Sequence, residues 1–131
     1  MRPMGSRRPG KRSMGGRIRL KRVYDAPAPC DGLRVLVDRL WPRGLAKEAA
    51  RIDEWRQDLA PSDALRKWFG HDPAHWEDFR RRYRRELQGR VEEVKGLAEL
   101  ARRGTITLVY GSRDEEHNNA VVLNELLEEL S

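Results

Sequence analysis

Two short polar stretches hold most of the side chains in this sequence that could do chemistry: DRLWPR at 38–43 and RDEEHNN at 113–119. A guanidinium fork matches a carboxylate or a phosphate, so Arg39, Arg43 and Arg113 are candidates for clamping an anion. His117 lies three residues from Asp114, and an imidazole is suited to proton transfer near neutral pH. Asp114 or Asp38 would orient it. Asn118 offers an amide that both donates and accepts. Trp41, in a turn among charged residues, is either core or a wall against a ligand. Read as an enzyme, the set gives His117, Asp114 and Asp38 the proton chemistry, and gives Arg39, Trp41, Arg43, Arg113 and Asn118 the binding. Hydrolysis or group transfer would suit these groups. The bland alternatives are ion pairs of Arg39 and Arg43 with nearby acids, and a capping role for His117. Asp114, Glu115 and His117 are also metal-ligand types, but with no second histidine near them the pattern specifies no metal. Nothing specifies a cofactor. The chain has no Walker loop, dinucleotide fingerprint, GxSxG elbow or HExxH, and the classes that depend on them lose support.

The elements that would position these turns can be read from periodicity. Residues 105–110 form an apolar, β-branched run without polar alternation, the pattern of a strand covered on both faces in a parallel sheet. Ser112 with Glu115, or Asp114 alone, would cap the helix that follows, whose stripe is Ala120, Leu123, Leu126, Leu127 and Leu130. Residues 17–24 and 33–40 read as two earlier strands, the second apolar at Val35 to Val37 and ended by Pro42 and Gly44. Ile52, Trp55 and Leu59 are spaced as a helical face. Ser62 or Asp63 caps a helix holding Leu65, Trp68 and Phe69, which Gly70 ends. Asp72 and Pro73 open the next helix, with Trp76, Phe79, Tyr83 and Leu87 on its buried stripe. Gly89 separates it from a helix through Val91, Val94, Leu97, Ala98 and Ala101. The expected fold is therefore a single α/β domain over 17–131: a small, mainly parallel sheet flanked by helices, with a helical insertion between the second and third strands. If the strands at 33–40 and 105–110 run parallel, both polar turns reach one sheet edge, the carboxyl edge where open α/β sheets bind ligands.

Charge distribution narrows the partners. Five of the six net positive charges belong to residues 1–16, which hold Arg2, Arg7, Arg8, Lys11 and Arg12 and no acid. That stretch has little to bury and reads as a disordered basic tail. Arginines at 80, 81, 82, 84 and 85 read either as a phosphate-binding helix or, more simply, as a solvated face paired with Glu77, Asp78 and Glu86. Trp68 and Trp76 fall on apolar stripes, and His71 and His75 read as structural residues at a helix start. A signal peptide and a membrane-length apolar run are both lacking. The lone Cys30 fits a reducing cytoplasm and excludes a cysteine cluster.

Three long motifs, RVLVDRLWPRG at 34–44, LAPSDALRKWFGHDPAHWEDFRRRY at 59–83 and LVYGSRDEEHNNAVVL at 108–123, resemble the YeaO-like proteins, domain of unknown function 488. The resemblance runs from about Ile18 to Leu130, with Gly111 and Ser112 as a mild departure from the pair of small residues that many members carry after the strand's tyrosine. It implies a small bacterial cytoplasmic α/β protein and groups Asp38, Arg39, Trp41, Arg43, Asp114, His117 and Asn118 as one constellation. Three functional readings follow. The leading one is binding of a small phosphate- or carboxylate-bearing ligand at the sheet edge. The second is a nucleic-acid-binding accessory protein using the tail and the arginine helix, and the third a protein interaction module.

Overall fold

The computed structural model describes residues 17–130, so the expected tail at 1–16 lies outside the described residues. Four strands, β1 (Ile18–Arg22), β2 (Leu33–Leu36), β3 (Glu54–Trp55) and β4 (Ile106–Tyr110), form one sheet in the order β1-β4-β2-β3. Every neighbouring pair is parallel. The expected α/β fold is thus present, and β4 is a central strand with all five residues buried, as its unbroken apolar run implies. The helices are α1 (Lys47–Ala50), α2 (Asp63–Phe69), α3 (Trp76–Gln88), α4 (Val91–Arg103) and α5 (Asn119–Glu129).

One sheet face carries the larger core. Val35, Val37, Ile106, Leu108 and Tyr110 pack against the apolar stripes of α3, α4 and α5, among them Phe79, Tyr83, Leu97, Leu123 and Leu127. Successive strand residues point to opposite faces, so Leu36 and Val109 serve a second, smaller cluster with Val23 and Ala50, flanked by Trp41, Leu45 and Ile52. On that face Arg34 is 3% exposed and bonded to the buried Asp31 at 2.7 Å, with Lys21 adding a second cation to Asp31 at 3.2 Å. Arg34 also donates to the Ala50 carbonyl at 2.8 Å, so strand, turn and α1 are tied through one guanidinium.

Several local signals act as read. The Ser62 side chain accepts from the Leu65 amide at the start of α2, and Gly70 ends it in the left-handed conformation. Three expectations are corrected. The second strand ends at Leu36, although Val37 still donates to Val109 at 3.2 Å. Trp55 belongs to a two-residue strand inside the insertion, held by parallel pairing of Glu54 and Trp55 with Val35 and Leu36. Neighbours and not local periodicity make it a strand. Finally, α5 begins at Asn119 under an Asn118 cap, not near Ser112. The Asp114 carboxylate instead takes the Glu116 and His117 amides at 2.9 and 3.0 Å, which closes a turn where a helix was expected.

Candidate functional site

Because β2 and β4 are parallel neighbours, their carboxyl ends bring the two polar turns together. Between them and α2 lies a cleft of about 610 Å³, within the size range of small-molecule sites. Asp38, Arg39, Trp41, Arg43, Arg113, Asp114 and Asn118 all line it.

The turn after β2 is fixed mainly through its backbone and one carboxylate. Asp38 accepts from the Gly111 amide at 2.8 Å and from the Asn119 side chain at 3.3 Å. Asn119 also donates to the Val37 carbonyl at 2.8 Å. Burial pushes the Asp38 carboxyl above its ordinary range, against those two hydrogen bonds and the nearby His71. Arg39 uses its Nε on the Pro61 carbonyl at 2.9 Å, which anchors the stem and leaves the two terminal nitrogens without a protein partner among the described residues. Trp41 is half-buried, donates to the Leu45 carbonyl at 2.7 Å and meets Trp55 edge-on at 5.4 Å. It is core and cleft wall at once. Tyr24 donates to the Arg43 carbonyl at 2.9 Å, holding that backbone while the Arg43 side chain stays exposed.

The turn after β4 is knit by short-range bonds. Arg22 reaches the Ser112 carbonyl at 2.8 Å. Asn118, 1% exposed, caps α5 by accepting from Val121 at 3.0 Å and donates to the Asp114 carbonyl at 2.8 Å. Hydrogen bonding from the Glu116 amide, then from His117, holds the Asp114 carboxyl below its ordinary range despite burial. His117 is bonded to Asp114 through Nδ1 at 2.9 Å and meets the Trp76 ring edge-on at 5.1 Å. It is not among the residues lining the cleft.

The pairing expected under the blander reading is absent. Among the described residues neither Arg39 nor Arg43 forms an ion pair, with Asp38, with the acidic turn or with any other acid, and Arg113 likewise has no polar partner. Arg66 of α2 also lines the cleft, and its charge is shared with Asp63. The cleft therefore concentrates guanidinium groups around a carboxylate already occupied by neutral donors. Among the described residues no group of three or more His, Cys, Asp or Glu is placed to hold a metal ion.

Several lining residues were not among the site candidates: Arg66, His71, which reads as structural in the sequence, Asn119, and the rings of Phe69 and Phe79. For Asn119 a signal existed, since it adjoins the cap in a polar turn. Phe69 and Phe79 were read only as core. For Arg66 and His71 the signal lay in tertiary structure, because α2 comes to this edge only through the sheet.

Fold and cleft together define an open parallel α/β protein with a cationic pocket at its carboxyl edge. The chain belongs to the DUF488 family: the model described as "Inactive DUF488-N3 subclade" matches residues 17–131. It is 42% identical over 113 residues to the uncharacterised protein YeaO of Escherichia coli (strain K12), covering 86% of this chain and 98% of that one. It is 40% identical over 111 residues to the uncharacterised proteins Mb3100c of Mycobacterium bovis and Rv3073c of Mycobacterium tuberculosis, covering 85% of this chain and 93% of each. No solved structure matches it.

Proposed function

We propose that the chain binds a small anionic ligand, bearing a phosphate or a carboxylate, in the cleft between the turns after β2 and β4. One observation carries the reading: Arg43 and Arg113 enter the same cleft from different turns, and neither guanidinium has a polar partner among the described residues. Arg39 adds two free terminal nitrogens. In this reading Arg39, Arg43 and Arg113 clamp the anion, Trp41 walls it and Asn118 fixes the turn. Asp38 sets the cleft floor, and Asp114 with His117 holds the second turn in shape. Should the bound ligand turn over, Asp38 and Asp114 are the cleft groups to move a proton, with His117 bonded to Asp114 behind them. The description of the matching subclade as inactive favours binding over turnover.

The nucleic-acid reading has less support. Arg80 and Arg84 of α3 pair with Glu125 and Glu129 of α5, Arg81 pairs with Asp78, and Arg82 lies over the Trp68 ring at 4.2 Å. These arginines serve the fold's own surface. Among the described residues no helix is long and apolar enough to cross a membrane. We place the protein in the cytoplasm on its lone, free Cys30.

The test is a thermal-shift screen with inorganic phosphate, sugar phosphates, nucleotides and small carboxylates. A ligand at about 100 times its Kd adds roughly 2.7 kcal/mol to stability. The expected result is a hit that disappears in Arg43→Ala and Arg113→Ala. Silence across the panel overturns the reading and moves the search to macromolecular partners.

A further inference from the structure

One imidazole of the cleft has no task in the reading above. His71 lines the cleft from the turn that follows α2, and its backbone sits at φ +58°, directly after Gly70 at +54°. Glycine adopts that left-handed conformation freely, whereas a residue with a Cβ adopts it at a cost, and such strain concentrates at functional sites. The fold gives little in return. His71 is exposed, its ring sits 5.9 Å from Phe69 at a 53° tilt, and among the described residues its imidazole has no hydrogen bond and no ion pair. The other two histidines are engaged: His75 stacks on Trp68 at 4.5 Å, and His117 is bonded to Asp114. Asp38, on the cleft floor, is close enough to His71 for their charges to interact.

We propose that His71 is a ligand-contacting residue of the cleft, its protonated imidazole joining Arg43 and Arg113 around the bound anion. This rests on the anion reading above. A protonated imidazole carries a positive charge that the neutral ring lacks, so affinity for the anion falls as pH rises. The other charged groups facing the cleft are Asp38, Arg39 and Arg43 from the turn after β2, Arg66 from α2, and Arg113 and Asp114 from the turn after β4. Tyr24 adds a hydroxyl committed to the Arg43 carbonyl, and the neighbouring Asp72 carboxylate accepts from the Ala74 amide. Hydrogen bonding holds Asp114 below the ordinary carboxyl range. Asp38, pushed upward by burial, is the one rival source of a pH dependence and has its own variant in the test.

The probe is sulfate, a dianion that does not itself titrate here, added to the full chain in a calorimetric titration from about pH 5.5 to pH 8.5. His71→Asn is the variant of choice, because asparagine tolerates the left-handed conformation and keeps the fold. The expected wild-type result is binding about tenfold tighter at the acid end. In His71→Asn the profile is flat, at the weak level of the wild type at alkaline pH, while Asp38→Asn keeps the slope. A slope that persists in His71→Asn but vanishes in Asp38→Asn leaves the anion reading standing and overturns this one. So does sulfate affinity that His71→Asn leaves unchanged. Sulfate that fails to bind the wild type at any pH overturns both.

Discussion

The Gly111 backbone amide donates to the Asp38 carboxylate at 2.8 Å, a bond that joins two turns 73 residues apart in the chain. A Cβ added at Gly111 would stand 3.2 Å from that same oxygen, so the approach is close as well as polar. This bond ties together the two turns that border the cleft. It also explains why the arginines remain free, since Asp38 has its hydrogen bonds from neutral amides.

Asp38→Ala leaves the half-buried Gly111 amide without its acceptor, at a cost of about 1 kcal/mol, the low end for an unsatisfied donor. Asp38→Asn keeps an acceptor and costs less. Its pH behaviour has a definite sign. Burial raises the folded-state Asp38 carboxyl above its unfolded value, so its contribution is fully present below the unfolded value and is lost as pH rises through the folded one. Chemical denaturation across the acid range should show Asp38→Asn gaining on the wild type as pH rises. A difference that stays constant, or moves the other way, contradicts the burial argument.

Arg43→Ala and Arg113→Ala should leave stability within about 0.5 kcal/mol of wild type, because both side chains are exposed and unpaired. Each should weaken binding of whichever ligand the screen identifies by at least about tenfold, or roughly 1.4 kcal/mol. Thermal melts with and without ligand read both quantities. Parallel losses of stability and binding would show that these residues hold the fold instead of the ligand.

Asp31 and Arg34 make the converse case, a buried ion pair on the second sheet face. Burial alone would raise the Asp31 carboxyl, but hydrogen bonds from the Ala28 amide, Lys21 and Arg34 outweigh it and leave the group below its ordinary range. Its stabilisation is therefore present above the unfolded carboxyl value and is lost as pH falls through the folded one. Asp31→Asn should cost about 3–5 kcal/mol at neutral pH, as expected when one partner of a buried pair is removed. That cost should shrink on acidification. Urea midpoints at neutral and acid pH would measure it, and a pH-independent cost would contradict the assignment.

Gly32→Ala should destabilise the protein. Gly32 has φ +64°, and an added Cβ would lie 2.2 Å from the Thr105 carbonyl oxygen. That oxygen also accepts from Leu33 at 3.1 Å, where β2 joins β4. A backbone atom cannot swing away, so the expected loss exceeds about 1 kcal/mol. A stability equal to that of wild type would mean the two strands begin farther apart than described.

How much of this could be read from the chain alone varies by residue. The run at 105–110 declared a strand buried on both faces, and β4 is one, because unbroken β-branched and apolar residues have no polar side to expose. Ser62 and Gly70 bounded α2 because capping is a local matter. Glu54 and Trp55 gave no such sign, since only pairing with Val35 and Leu36 makes them a strand. Asp114 misled in an instructive way: the carboxylate chemistry that caps a helix closes an Asx turn equally well, and the choice fell to Asn118. Seven of the eight candidate site residues line the cleft, because each sits in a turn whose direction its strand dictates. His71 was legible as a residue after a helix-ending glycine, but its place beside Asp38 comes from the packing of α2.

The sheet order has a consequence for how the chain is made. β1 and β2 come first from the ribosome, yet they are not neighbours; β4, which separates them, is the last strand in sequence. Until residues 106–110 emerge, β1 has no partner and β2 can pair only with the two-residue β3. Such long-range closure is slow relative to local pairing, and until it occurs the apolar edges of β1 and β2 stay open to other chains. A ribosome stalled before β4, or a nonsense codon there, would release a chain with neither a sheet nor a cleft. The interval before β4 docks is the stage of synthesis at which a chaperone would matter most.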